Sequence, residues 1–219
     1  MTLHQFWSPI MISLQVTIVA SIIAFILAIS AAWLMKKRSF KGRSLIETMF
    51  LLPLVLPPSV VGFGLLVLLG QNSWFGVFIE TIFEQSLVFT KGAAVVSAFV
   101  VAFPLIYMTL KSGFEQIDHE FEDAARSMGA GEMQVFWYVT LPMAWRSLIT
   151  GYVLGFARSI GEFGATLMFA GNIPGKTQTL PTAIYLAVEA GNRTQAYYWV
   201  ITIVIFSFFL LMLTYIVKS

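Results

Sequence analysis

Ile10-Met-Ile-Ser-Leu-Gln-Val-Thr-Ile-Val-Ala-Ser-Ile-Ile-Ala-Phe-Ile-Leu-Ala-Ile-Ser-Ala-Ala-Trp-Leu-Met35, followed at once by Lys36, Lys37 and Arg38 and then by Lys41 and Arg43, decides the fold class. Only Gln15 and small hydroxyl residues interrupt the run, which exceeds the roughly 20 apolar residues that cross a bilayer as a helix. A secretory signal carries its basic residues before the apolar core. Here they follow it, so the segment reads as an uncleaved anchor.

The rest of the chain agrees. Hydrophobic residues make up 58% and charged residues 11% of 219, with a mean hydropathy of +0.83. A soluble domain needs about 25% charged residues to face water, so the bilayer is the solvent implied. Further spans read at about 48–70, 92–110, 144–170 and 197–217. Pro53, Pro57 and Pro58 should kink the second, which membrane helices tolerate when neighbours satisfy the freed carbonyls. Lys36, Lys37, Arg38, Lys41, Arg43, Lys111, Arg126, Arg146 and Lys218 fall on one side, and only Lys91, Lys176 and Arg193 on the other. The positive-inside rule then puts the amino terminus outside and the carboxyl terminus in the cytoplasm. That requires an odd number of spans. Five fit, with a sixth inserted stretch if an outer segment dips into the membrane.

Two outer segments have helical patterning. Trp74, Phe75, Phe78, Ile79, Ile82 and Phe83 recur at helical spacing around Glu80 and Glu84, which suits either a helix on the membrane surface or one packed on the bundle. Residues 180–190 read as another short helix.

The most polar stretch is Lys111-Ser-Gly-Phe-Glu-Gln-Ile-Asp-His-Glu-Phe-Glu-Asp-Ala-Ala-Arg-Ser-Met-Gly129, running on to Leu141-Pro142. Phe114, Ile117, Phe121, Ala124, Ala125 and Met128 recur every three or four residues among acidic ones. The pattern predicts an amphipathic cytoplasmic helix stopped by glycine. By periodicity alone, a solvated linker helix fits as well. The spacing Asp123-Ala124-Ala125, Gly129, then Val139-x-Leu141-Pro142 resembles the EAA loop of ABC-importer permeases, with Asp for the usual Glu and Val for the usual Ile. Arg158-Ser-Ile-Gly-Glu-Phe-Gly-Ala-Thr166, continuing to Tyr185, and Leu52-Pro-Leu-Val-Leu-Pro-Pro-Ser-Val-Val-Gly-Phe-Gly64 are similar to the molybdate permeases, relatives of those for sulfate and tungstate.

The resemblance implies an all-α, polytopic membrane helix bundle of the type I importer permease fold. Residues 1–219 would form one domain, with 112–142 as its coupling loop. It further implies that Phe121, Glu122, Asp123, Ala124, Ala125, Met128 and Gly129 face a separate ATPase subunit. An extracytoplasmic binding protein would deliver the oxyanion, and two copies of the chain would form the pore in the bacterial cytoplasmic membrane. Arg158, Glu162, Phe163, Gly164 and Thr166 are the pore or gate candidates. No cofactor and no nucleic-acid partner is implied.

Other chemistries find little support. The chain has no cysteine, which excludes thiolate nucleophiles and cysteine metal sites, and His4 and His119 are too far apart in sequence to suggest a metal pair. Ala170-Gly-Asn-Ile-Pro-Gly-Lys-Thr177 matches a relaxed phosphate loop. It follows a membrane span rather than a strand, however, and Pro174 removes an N–H that such a loop needs. A secondary transporter would be expected to show intramembrane carboxylates and an inverted repeat. A membrane enzyme would need a motif such as His-Glu-x-x-His, which is absent.

Arg158 and Glu162, at i and i+4 in the fourth span, share a helix face. Ionisable residues there face a bundle interior or an aqueous path. An internal ion pair is the reading favoured over direct substrate contact. Ser147, Gly151, Gly155 and Ser159 form one line of small residues, and Ala157, Gly161 and Ala165 another. Either line suits close packing within the subunit or against a second copy. The basic cluster from Lys36 to Arg43 is explained by orientation signalling.

Overall fold

The computed structural model describes residues 3–37 and 41–218, and all regular structure among them is helical. Arg38 lies outside the described residues, as do the side chains of His4, Lys37, Phe83 and Lys218.

Helix α1 (Leu3–Lys37) carries the deciding apolar run as one continuous element. Helix α5 (Lys91–Glu115) lies at the centre of the bundle. More than half of its apolar window is buried (56%), against 11% for α12 (Arg193–Lys218), which presents its surface outward. The α1–α5 seam is built on Ala20, Ala24, Ala28 and Ala32, four alanines at i+4 spacing with no exposed surface, packed with Ala94, Ala98 and Ala102. Without a hydrophobic gradient inside lipid, close backbone approach and van der Waals contact hold such helices together.

The expected kinked second span is broken outright. Helix α2 (Arg43–Val55) and α3 (Pro58–Leu69) meet at 118°. Pro53 sits inside α2 without ending it. The break falls at Leu56, held extended (φ −69°, ψ 143°) by the proline that follows it. The fourth expected span is also divided, into α9 (Trp145–Ile160) and α10 (Gly164–Phe169). The 16 residues of α9 reach only about 24 Å, short of a bilayer core by themselves. By length and apolarity, α1, α5 and α12 can each cross, and α2 with α3 makes a bent fourth.

The two outer helices differ. In α4 (Trp74–Phe83), capped where the Ser73 hydroxyl accepts from the Gly76 N–H at 2.8 Å, Trp74, Phe75, Val77, Phe78 and Ile82 all stay exposed. Most of its described apolar side chains are therefore left uncovered by the bundle, with only Ile79 half-buried. Helix α11 (Leu180–Glu189) instead buries Leu180, Thr182, Ala183 and Ala187, and the Leu180 N–H donates to the Ser13 hydroxyl of α1 at 2.6 Å.

At the basic end, the chain after α5 forms α6 (His119–Ser127) and α7 (Glu132–Val135). A π-helical turn (Phe136–Thr140) and α8 (Leu141–Met143) then lead into α9. Pro142 offers no N–H to the preceding turn, a local reason for the widened helix there.

Candidate functional site

The loop and the broken helices form two separate constellations. In the loop, the predicted single amphipathic helix is two pieces. Phe114 and Ile117 belong to α5 and its exit and are buried in the core, while α6 starts afresh at Asp118, whose carboxylate accepts from the Glu120 N–H at 3.0 Å. The predicted stop is present: Gly129 adopts φ +91°, and the Ala130 N–H bonds back to the Ala125 carbonyl at 3.1 Å. Glycine enters this left-handed region without the steric penalty of a side chain.

The candidate coupling residues divide between two faces of α6. Phe121 is 55% and Met128 84% exposed, and Ala124 is exposed beside them. That leaves an apolar strip with no cover from the bundle. Asp123, also exposed, bonds Arg126 at 2.7 Å, and Arg126 reaches Glu132 at 2.9 Å. Glu122 and Ala125 point the other way and are buried.

Glu122 Oε1 accepts from Lys36 Nζ at 2.8 Å and from the Thr140 hydroxyl at 2.7 Å, with Arg126 3.9 Å from its other oxygen. Burial by itself would raise the Glu122 carboxyl. The Lys36 and Thr140 hydrogen bonds and the nearby positive charges outweigh it and hold the group below the usual carboxylate range. One carboxylate thus ties α6 to the end of α1 and to the π-helical turn. Sequence reading placed Glu122 toward a partner and Lys36 among orientation signals. The contact spans 86 residues, and no local pattern announces it. A second basic-end network, Arg43–Glu47 at 2.9 Å and Lys111–Glu47 at 2.8 Å, fastens α2 to α5.

The other constellation lies where the two broken helices meet. Helix α9 ends at Ile160, so Glu162 occupies the break rather than a continuous helix face. The pair forms nonetheless, with Arg158 Nη1 donating to Glu162 Oε2 at 3.0 Å. Oε1 accepts the Ala165 N–H at 2.8 Å, so the carboxylate also caps α10. Burial is asymmetric: the Glu162 side chain is 1% exposed and that of Arg158 32%.

Helix α10 packs on α3 just past the proline break. A Cβ at Gly164 would lie 2.9 Å from the Pro58 Cβ, and one at Gly62 would lie 2.7 Å from the Met168 Cβ. Thr166 is buried, and the Phe163 ring is 5.2 Å from that of Tyr185 on α11. All five pore or gate candidates therefore cluster at one junction with Pro58 and Gly62, residues of the 52–64 stretch whose sequence suggested a kink but not this contact with α10.

The open question about small residues resolves for the first line. Gly155 packs directly on Ile106, Gly151 on Leu110 and Thr109, and Ser147 on Gly113, so this line serves the α5–α9 contact within the subunit. In the second line Ala165 is buried, whereas Gly161 is exposed.

Residues 21–218 match the family described as the binding-protein-dependent transport system inner membrane component. The chain belongs to this family. Among individual relatives, the molybdenum transport system permease protein ModB of Escherichia coli (strain K12) is 40% identical over 183 residues, covering 84% of this chain and 80% of its own. YvgM of Bacillus subtilis (strain 168), provisionally named a molybdenum transport permease, is 52% identical over 207 residues, 94% of this chain and 91% of its own. The cysT protein of Chlorokybus atmophyticus, provisionally named for sulfate transport, is 33% identical over 189 residues, 86% of this chain and 66% of its own. In three dimensions, a chain of the MetNI methionine ABC transporter in an inward-facing form superposes with a TM-score of 0.76 at 19% identity, covering 100% of this chain and 98% of its own. At that identity the match speaks for the fold alone, which is that of ABC-importer permeases.

Proposed function

We propose that this family member is the permease subunit of an ATP-driven importer for molybdate, working as a homodimer in the bacterial cytoplasmic membrane. The observation that carries the cargo is the naming of the E. coli relative for molybdenum, at 40% identity over four-fifths of both chains. The ATPase would dock on the exposed Phe121–Ala124–Met128 strip of α6, which supplies apolar surface at the basic, cytoplasmic end. ATP binding would draw two such helices together and turn the pore outward, where a binding protein releases the oxyanion. Hydrolysis would return it inward. The α3–α10 junction around Arg158, Glu162, Phe163, Gly164 and Thr166 would be the element that opens and closes, because both helices meeting there are already broken.

The cysT relatives favour sulfate as a second reading. Radiolabelled molybdate uptake in a strain lacking its own molybdate importer, complemented with this permease and its neighbouring ATPase and binding-protein genes, tests both. Saturable uptake that excess sulfate fails to suppress is expected. Uptake of sulfate in preference to molybdate would overturn the molybdate assignment.

A further inference from the structure

We infer that the groove between α1 and α2 is a lipid site, which takes one acyl chain of an anionic phospholipid and holds the headgroup at Lys41. The groove has a volume of about 540 Å³. Leu27, Ala31 and Leu34 of α1 form one wall, Met49 and Pro53 of α2 the other, and Phe99 and Phe103 of α5 the floor. Both wall helices pack on α5, and the Phe103 ring is held 5.9 Å from that of Phe99 and 5.3 Å from that of Phe50. The lining reaches Met35, next to the basic loop that joins the two walls. Orientation signalling accounts for that loop but not for an apolar groove beside it.

Dimensions and chemistry choose the occupant. From Leu27 to Met35 the groove runs about 12 Å along α1, close to the roughly 15 Å of hydrocarbon in one leaflet. Spread over that length, its volume gives a cross-section of about 45 Å², too narrow for a helix of about 10 Å diameter and sufficient for extended hydrocarbon. Ser30 is the one polar side chain among the described residues that line it, and its hydroxyl donates to the Ile26 carbonyl at 3.0 Å. No lining side chain therefore requires water or a polar ligand. Helix α2 fully buries none of its residues, although it is half of the broken span. A tail in the groove supplies van der Waals contact that α2 otherwise lacks. Charge selects the headgroup. Lys36 is bonded to Glu122 at 2.8 Å, and Arg43 and Lys111 are both bonded to Glu47, at 2.9 and 2.8 Å. Lys41 is exposed and makes no ion pair among the described residues, so its ammonium is free for a phosphate.

The test uses the purified permease, with the subunits that copurify, in phosphatidylcholine liposomes holding a trace of phosphatidylglycerol with a photoactivatable group in its acyl chain. After illumination, mass spectrometry maps the adducts. They are expected on residues 27–35, 49–53 and 99–103 in excess of those on α12, whose outward surface reports ordinary boundary lipid. Added unlabelled phosphatidylglycerol should displace the groove adducts about fivefold better than the same amount of phosphatidylcholine, the scale of one basic residue near an anionic headgroup. Lys41→Gln should abolish that preference and leave the α12 adducts unchanged. Ala31→Phe, which fills the groove from the α1 wall, should remove the groove adducts. Elution volume reports that each variant is intact, and if Ala31→Phe fails to assemble, Lys41→Gln still decides. Groove adducts no more frequent than those on α12, equal displacement by the two lipids, or a preference that survives Lys41→Gln overturns the site, as do groove adducts that persist in intact Ala31→Phe. Met49→Cys, in a chain with no other cysteine, should not link two copies. A spontaneous disulfide there would put a second copy in the groove and equally defeat the proposal.

Discussion

Replacing Arg158 should damage the protein far more than replacing Glu162, although the two form one ion pair. In Arg158→Gln the Glu162 carboxylate remains, 1% exposed, keeping only the Ala165 N–H at 2.8 Å as a described donor. Breaking a buried pair this way costs about 3–5 kcal/mol. Because Arg158 is itself 32% exposed, the lower end, about 3 kcal/mol, is the expectation. In Glu162→Gln the new amide oxygen can still accept the Ala165 N–H, and the stranded guanidinium can reach water, so the loss should be about 1 kcal/mol. The double variant buries no charge and should lose about 1–2 kcal/mol, leaving a coupling of about 2 kcal/mol, a factor of about 30 in the folding equilibrium. Reversible unfolding in mixed detergent micelles, with membrane abundance and molybdate uptake for all four proteins, measures the cycle. Equal losses in the two single variants, or additive losses in the double, would refute the buried pair as the organising contact. A direct substrate contact would show differently: Arg158→Gln would fold normally, fail to transport, and gain nothing from the second change.

Removing the Glu122 charge by Glu122→Gln strands the Lys36 ammonium, 9% exposed, and should loosen α6 by about 3 kcal/mol. Hydrogen exchange across residues 119–128 would rise, more ATP would be hydrolysed per ion transported, and Lys36→Met should restore part of both; unchanged exchange would reject the anchor. Since the folded Glu122 carboxyl is held below its ordinary value, its contribution is fully present above about pH 4.3, the unfolded value, and fades only as pH falls through the lower folded one. Exchange of α6 should therefore show no such carboxylate step between pH 6 and 8. Gly129→Val, at φ +91°, should cost about 1–3 kcal/mol and reduce coupling while leaving the protein in the membrane; wild-type coupling would exclude a need for this turn. Gly164→Val should push α10 off Pro58 and alter transport with little change in abundance, and normal uptake would remove this junction from the gate. Single cysteines at Gln134 and Asn192 should be labelled from the cytoplasm and from outside respectively, and labelling from one common side would overturn the orientation.

How much was legible in the sequence depends on how far each signal reaches along the chain. The helical membrane class follows from composition and from the run of residues 10–35, because no soluble surface can be made with so few charges. Gly129 as the stop of α6 and the Arg158–Glu162 pairing were also readable, since a glycine after an amphipathic stretch and an i, i+4 ion pair are local arrangements. Tertiary structure decided where the chain breaks. Proline-rich residues 53–58 announce a disturbance, but the 118° bend depends on what α3 packs against, namely α10. It decided too which way Glu122 faces. Helical periodicity groups residues onto a face, whereas burial needs a partner, and here that partner is Lys36, 86 positions away. The alanine seam of α1 looks in sequence like any apolar stretch, and only the approach of α5 shows why four positions must be small. A chain in lipid is told by its composition that it must be helical; which helices touch, and where one gives way, is settled by close contacts that local sequence does not encode.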